Sequence, residues 1–190
     1  MAIDEFNKMK DHYFKTTGNS RKDSMMKLIQ QITLLLRISA APNTVLEYAG
    51  GTPNKLRKVV EMVGEFENEI VAIGVRHVKV VEEYKKVLEE AFPDRQIFVV
   101  TGGTTTFAQR RKLRYTIRDS KNGILLCTQQ SLPSSVNFEF INKVIIPELH
   151  YNNAGMSQFY MRFVRYTSTE YKDIYFVTYA GSIESNQMQM

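Results

Sequence analysis

An α/β fold, with a mostly parallel sheet covered by helices on both faces and a helical lead-in before it, is what this 190-residue sequence predicts. Three observations carry that prediction. Five short apolar runs alternate with segments of helical periodicity, as in parallel strands joined by crossover helices. The runs are continuous in apolar character, so they read as strands buried on both faces. The hydrophobic fraction of 43% against 24% charged residues suits an ordinary globular core and neither a disordered nor a membrane-spanning chain.

Residues 1–22 are polar and end in TTGNSRK, a loop-like lead-in. From 23 to 41 the pattern is helical, with Met26, Ile29, Ile32, Leu35 and Leu36 marking an apolar stripe that Pro42 ends. AGGTP at 49–53 is a turn, with Thr52 as N-cap and Pro53 at the first helical position of a helix running to 66. The alternation follows: strand 70–75, helix 77–92 closed by Pro93, strand 96–100, helix 106–118, and strand 124–127 after an Asn122-Gly123 turn. A polar loop then leads to strand 143–146, a further helix, strand 173–179 and a tail from Glu184 onward expected to lack order. In sheets of this kind ligands gather at the carboxyl ends of the strands.

No stretch is apolar enough to span a bilayer, the start MAIDEFNKMK lacks a signal-peptide core, and the expectation is an intracellular location. The lone Cys127 excludes an internal disulfide and reads as a small core residue. His12, His77 and His150 lie too far apart to suggest a zinc site and read as ordinary residues. No GxxxxGK[ST] phosphate loop and no acidic magnesium motif is present. The net charge of +5 mildly favours a polyanionic partner. Much of it falls between 104 and 122, where Arg110, Arg111, Lys112, Arg114, Arg118 and Lys121 face one acid, Asp119. That cluster is either a solvated helix face or an electrostatic binding surface.

The segment QFYMRFVR at 158–165 is the most informative. Gln158, Arg162 and Arg165 stand at i, i+4 and i+7, one face of a helix, and two guanidiniums there suit a phosphate. The competing reading is a solvated polar stripe. Phe159, Met161, Phe163 and Val164 between them point to a mostly buried helix instead.

These segments resemble, in order, the C-terminal RecA-like lobe of superfamily-two helicases and translocases, in its Swi/Snf-related branch. Gln158, Arg162 and Arg165 match the Q-x-x-x-R-x-x-R of motif VI, and HYNNAGMSQ at 150–158 looks like the W-N-P-A stretch before it. TGGTTTFAQRRKL at 101–113 looks like the G-x-[ST]-x(4)-R segment, and EIVAIGV at 69–75 sits where the motif IV strand belongs. ILLCTQQ at 124–130 and Val136-Asn137-Phe138 resemble the two ends of motif V, with Leu132, Pro133, Ser134 and Ser135 where the family carries glycines. KLIQQITLLLRISAAPN at 27–43, TPNKLRKVVEMV at 52–63 and YFVTYAGSIE at 175–184 resemble the lead-in helix, the S-x-K-L-x-x-L helix and the closing strand with G-T-I-E.

The resemblance covers roughly residues 24–184 and implies a lead-in at 1–66 packing on the lobe, a RecA-like unit at 67–184 and a tail at 185–190. It implies the second motor lobe of an ATP-dependent DNA helicase or translocase. Arg165 is then the arginine finger, Arg162 its neighbour, and Gln158 the link from the ATP site to the nucleic-acid groove. Thr101, Gly102, Gly103, Thr128, Ser134, Ser135 and Asn137 would hold phosphates of the tracked strand, with Arg110, Arg111 and Arg114 adding salt-sensitive attraction. The glycines read equally as a plain turn. ATP and Mg²⁺ would be held only together with a first lobe, on this or another chain, and the isolated chain is expected to be inactive. The alternative is a stand-alone RecA-like module that binds nucleic acid or protein without turnover. DNA is the expected partner, with no membrane.

Overall fold

The computed structural model describes residues 21–45, 51–102, 106–132, 136–150, 153–166 and 168–188. Helix α1 is Arg21–Ala40, followed by a 3₁₀ turn at Pro42–Thr44 and helix α2 at Asn54–Glu65. The alternation then runs β1 Val71–Val75, α3 Val78–Ala91, β2 Ile97–Val100, α4 Phe107–Asp119 and β3 Ile124–Thr128. It closes with β4 Lys143–Ile146, α5 Asn153–Tyr160, β5 Asp173–Phe176 and α6 Ile183–Met188. The five strands form one all-parallel sheet in the order β2-β3-β1-β4-β5.

Both faces of the sheet are covered, as the continuous apolar strands require. Ile73 of β1, Leu126 of β3 and Ile145 of β4 point to one side, where α1, α2 and α3 supply Ala40, Val59, Val81 and Leu88. Ala72, Leu125 and Val144 point to the other, where Ile117 of α4, Phe159 of α5 and the loop residues Phe138 and Ile141 pack. The helices present apolar positions at i, i+3 or i+4 and i+7 toward these layers, as in Leu56, Val59 and Val63 of α2. Arg95 ties the carboxyl end of α2 to the amino ends of β1 and β3, donating to the carbonyls of Val63, Glu69 and Asn122.

Three local expectations are corrected. Pro53 is the N-cap of α2 and not its first residue, since its ψ of 145° is not helical. The stripe on α1 is only partly used: Leu36 is buried, whereas Met26 and Ile29 are exposed. The tail expected to lack order begins as helix α6, because the Glu184 side chain is drawn into the interior by Lys55. No helix among the described residues is long and apolar enough to cross a membrane.

Candidate functional site

The carboxyl ends of β1, β3 and β4 meet in the middle of the sheet and are tied together by one side chain. Gln129, directly after β3, donates its Nε2 to the carbonyl of Gly74 in β1 at 3.1 Å and to that of Glu148 beyond β4 at 2.6 Å. Two carbonyl partners fix which end of the amide is nitrogen. Its Oε1 has no hydrogen-bond partner among the described atoms, though the residue is only 5% exposed. Glu148, fully buried, accepts the Arg76 N–H at 2.6 Å and the His77 N–H at 3.3 Å, and its other oxygen meets His77 Nδ1.

Above this bracket lies a cavity of about 270 Å³ lined by Gln129, Gln130, Leu132, His150, Ala154, Gly155, Gln158 and Arg162. Helix α5 reaches it through two close approaches. Phe159 lies against Gly74, and the His150 ring lies where a side chain on Gly155 would be, 2.8 Å from that position. The structure brings Gln158 and Arg162 to one cavity, and adds His150, which the sequence reading left as an ordinary residue, and Gln129, to which it gave no role.

The single helical face is corrected. Helix α5 ends at Tyr160, so Arg162 and Arg165 lie beyond it. The backbone tightens there, with Arg162 N–H donating to Phe159 O at 3.0 Å and Phe163 N–H to Tyr160 O at 2.9 Å. The Arg162 carbonyl is taken by Phe138 N–H at 3.0 Å, and Phe163 packs 5.3 Å from Phe159 and 6.2 Å from Phe138. Tertiary packing thus ends the helix where periodicity alone would extend it. Arg165 does not line the cavity, yet its charge is felt there. Burial holds the Arg162 guanidinium below its ordinary value, and the neighbouring Arg165 charge lowers it further.

A second cavity of about 270 Å³ gathers Arg111, Arg114, Tyr115, Val136 and Asn137. Helix α4 positions these arginines from a capping box in which Thr106 and Gln109 satisfy each other's backbone N–H groups. Arg114 donates through Nε to Asn137 O and lies over the rings of Tyr115 and Phe140 at 5.6 and 5.7 Å. Arg111 is exposed, and the Arg110 side chain lies outside the described residues.

Thr101 and Thr128, both buried, stand at the carboxyl ends of β2 and β3. Between them the Ser131 hydroxyl lies 2.7 Å from the carbonyls of Val100 and Thr128. Gly102 is exposed, and an added Cβ would meet no atom within 4 Å. Gly103, Ser134 and Ser135 lie outside the described residues. Cys127 is buried beneath the strand ends, where loss of hydration pushes its thiol far up and makes it a core residue.

No family model matches the sequence, and no curated protein matches it. Solved structures match it in fold. The Sulfolobus solfataricus SWI2/SNF2 ATPase C-terminal domain has a TM-score of 0.75 at 13% identity, over 99% of this chain and 78% of its own. The SWI2/SNF2 ATPase core of the same organism, in complex with dsDNA, has a TM-score of 0.74 at 18% identity, over 100% of this chain and 40% of its own. The C-terminal part of the Fun30 ATPase domain has a TM-score of 0.63 at 18% identity, over 95% of this chain and 62% of its own. The chain therefore spans less than two thirds of the Fun30 part and less than half of the Sulfolobus core. Its fold is that of the Sulfolobus solfataricus SWI2/SNF2 ATPase C-terminal domain.

Proposed function

We propose that this chain is the second, C-terminal motor lobe of an ATP-dependent DNA helicase or translocase. It supplies arginines to ATP held by a first lobe, and it forms part of the nucleic-acid groove. One observation carries the reading. Arg162 lines a cavity with Gln158 at the strand ends while the nearby charge of Arg165 acts on it. A partly desolvated cation with a second positive charge nearby favours an anion beside it.

A bound nucleotide would supply the phosphoryl group to be transferred. Arg165, exposed and beyond the cavity wall, is the residue able to reach toward a facing lobe. Arg162, anchored by its carbonyl and its neighbours, keeps the second cation in place, and Gln158 presents an amide beside it. A preorganised cation at a transferring phosphoryl group is worth ~10³–10⁵ in rate. Delivering it from a separate lobe makes hydrolysis depend on closure. The Arg111–Arg114–Asn137 cavity and the Thr101 and Thr128 strand ends would meet the phosphates of DNA.

The test is reconstitution. The chain alone should release no phosphate from ATP, and adding a first lobe should give DNA-stimulated release that Arg165→Ala abolishes without altering the circular dichroism spectrum. Normal turnover by that variant would remove the arginine-finger assignment. Robust hydrolysis by the isolated chain would remove the two-lobe reading itself.

A further inference from the structure

Lys55 and Glu184 are 129 residues apart in sequence and form an ion pair, with Nζ at 2.6 and 2.7 Å from the two carboxylate oxygens. Both side chains are shielded, at 1% and 0% exposure. The Lys55 ammonium also donates to the Pro147 carbonyl at 3.0 Å, just beyond β4, and lies 5.1 Å from the centre of the Tyr179 ring. Glu184 in turn accepts the Tyr179 N–H at 3.2 Å. Three protons on the ammonium thus meet three oxygens. An apolar pair of the same volume would stabilise the interior at least as well, so this pair is better explained by what it holds in place.

What it holds leads to the cavity. Pro147 is followed by Glu148, which orders the backbone of Arg76 and His77 and whose carbonyl receives Gln129 Nε2. Gln129 and His150, two residues past Glu148, both line the cavity with Gln158 and Arg162. Each step from Glu184 to the cavity is a hydrogen bond or a peptide bond. The helix that carries Glu184, α6, has six residues, too few to be stable by themselves. Its order therefore depends on tertiary contacts such as that of Glu184 with Lys55.

We propose that the Lys55–Glu184 pair is a positioning clamp: docking of α6 through Glu184 fixes the segment after β4 and, through it, the geometry of the Gln158–Arg162 cavity. The catalytic consequence rests on the reading of that cavity as a phosphate site, whereas the mechanical coupling needs no ligand.

Amide hydrogen exchange by mass spectrometry on the full chain tests the coupling, comparing the parent with Glu184→Gln and with Lys55→Met/Glu184→Leu. Glu184→Gln should speed exchange about tenfold in α6, in 147–150 and in α5, while β1 and β3 stay protected. The double variant should restore protection of α6 but leave 147–150 and α5 fast, because the Pro147 carbonyl has lost its donor. Should Glu184→Gln unfold the chain outright, the double variant decides alone. Native protection of 147–150 and α5 in the double variant, or loosening confined to α6 in the single one, overturns the clamp. In the reconstituted motor the double variant should lower kcat about tenfold with DNA affinity unchanged. If Arg165→Ala leaves turnover intact, the phosphate reading fails while the exchange result still stands or falls by itself.

Discussion

The ring of Phe159 occupies the place that a side chain on Gly74 would need: a Cβ built there lies 2.3 Å from two ring carbons. Helix α5 is thus seated directly on the backbone of β1, and Gly74 sets how deep it sits.

Gly74→Ala should therefore act as overpacking, costing ~1–3 kcal/mol as the ring and α5 are pushed away from the sheet. Urea denaturation checks it. A midpoint equal to that of the parent would mean that α5 is not held by this contact. Phe159→Leu in the Gly74→Ala background should recover part of the loss, which is a coupling and not a sum.

Gln129→Leu removes the donor to two buried carbonyls, Gly74 at 3.1 Å and Glu148 at 2.6 Å. Each carbonyl left unpaired costs ~1–3 kcal/mol, so the variant should be clearly less stable. Gln129→Glu should be worse than Gln129→Leu at neutral pH, because it points a carboxylate at two carbonyl oxygens. The reverse order in thermal unfolding would show that the bracket is not what the amide contributes.

Arg111 and Arg114 share a cavity but differ in attachment. Arg114 is bound to Asn137 and stacked over two rings, while Arg111 is exposed. If the cavity meets nucleic-acid phosphates, each Ala substitution should weaken binding evenly across sequences and lower the slope of log K against log salt by about one. Only Arg114→Ala should also cost stability. Fluorescence anisotropy over a salt series, with melting curves alongside, separates the two effects.

Lys143 joins β4 to β5 through Asp173 at 2.6 Å, with Glu69 at 3.8 Å. The hydrogen bond to Asp173 is the main reason that its ammonium is held above the ordinary value of 10.5. A cation favoured in the folded state contributes its full stability below 10.5 and loses it as pH rises through the elevated folded value. Lys143→Met should therefore lower stability at neutral pH and flatten its fall above pH 10.5. Parallel alkaline profiles for parent and variant would contradict this.

The sheet was legible because parallel strands buried on both faces leave unbroken apolar runs, and all five predicted strands appear. Residues whose role depends on a distant partner were not legible. Gln129 reads as one of two polar residues after a strand, and nothing local says that its amide spans β1 and β4. Lys55 and Glu184 stood in matched motifs, yet only the fold brings them together. The Arg162–Arg165 helix was overextended for the opposite reason: its 3.6-residue period is genuine as far as Tyr160, after which Phe138 and Phe163 dictate the backbone.

The Gln129 bracket has a mechanical consequence. One amide joins the ends of β1 and of the segment beyond β4, and its own backbone N–H returns to the Val75 carbonyl at 2.7 Å. The three strand ends beneath the cavity are thereby a single stiff plate. A load applied at any one of them is borne by all three, so the cavity floor moves as a unit.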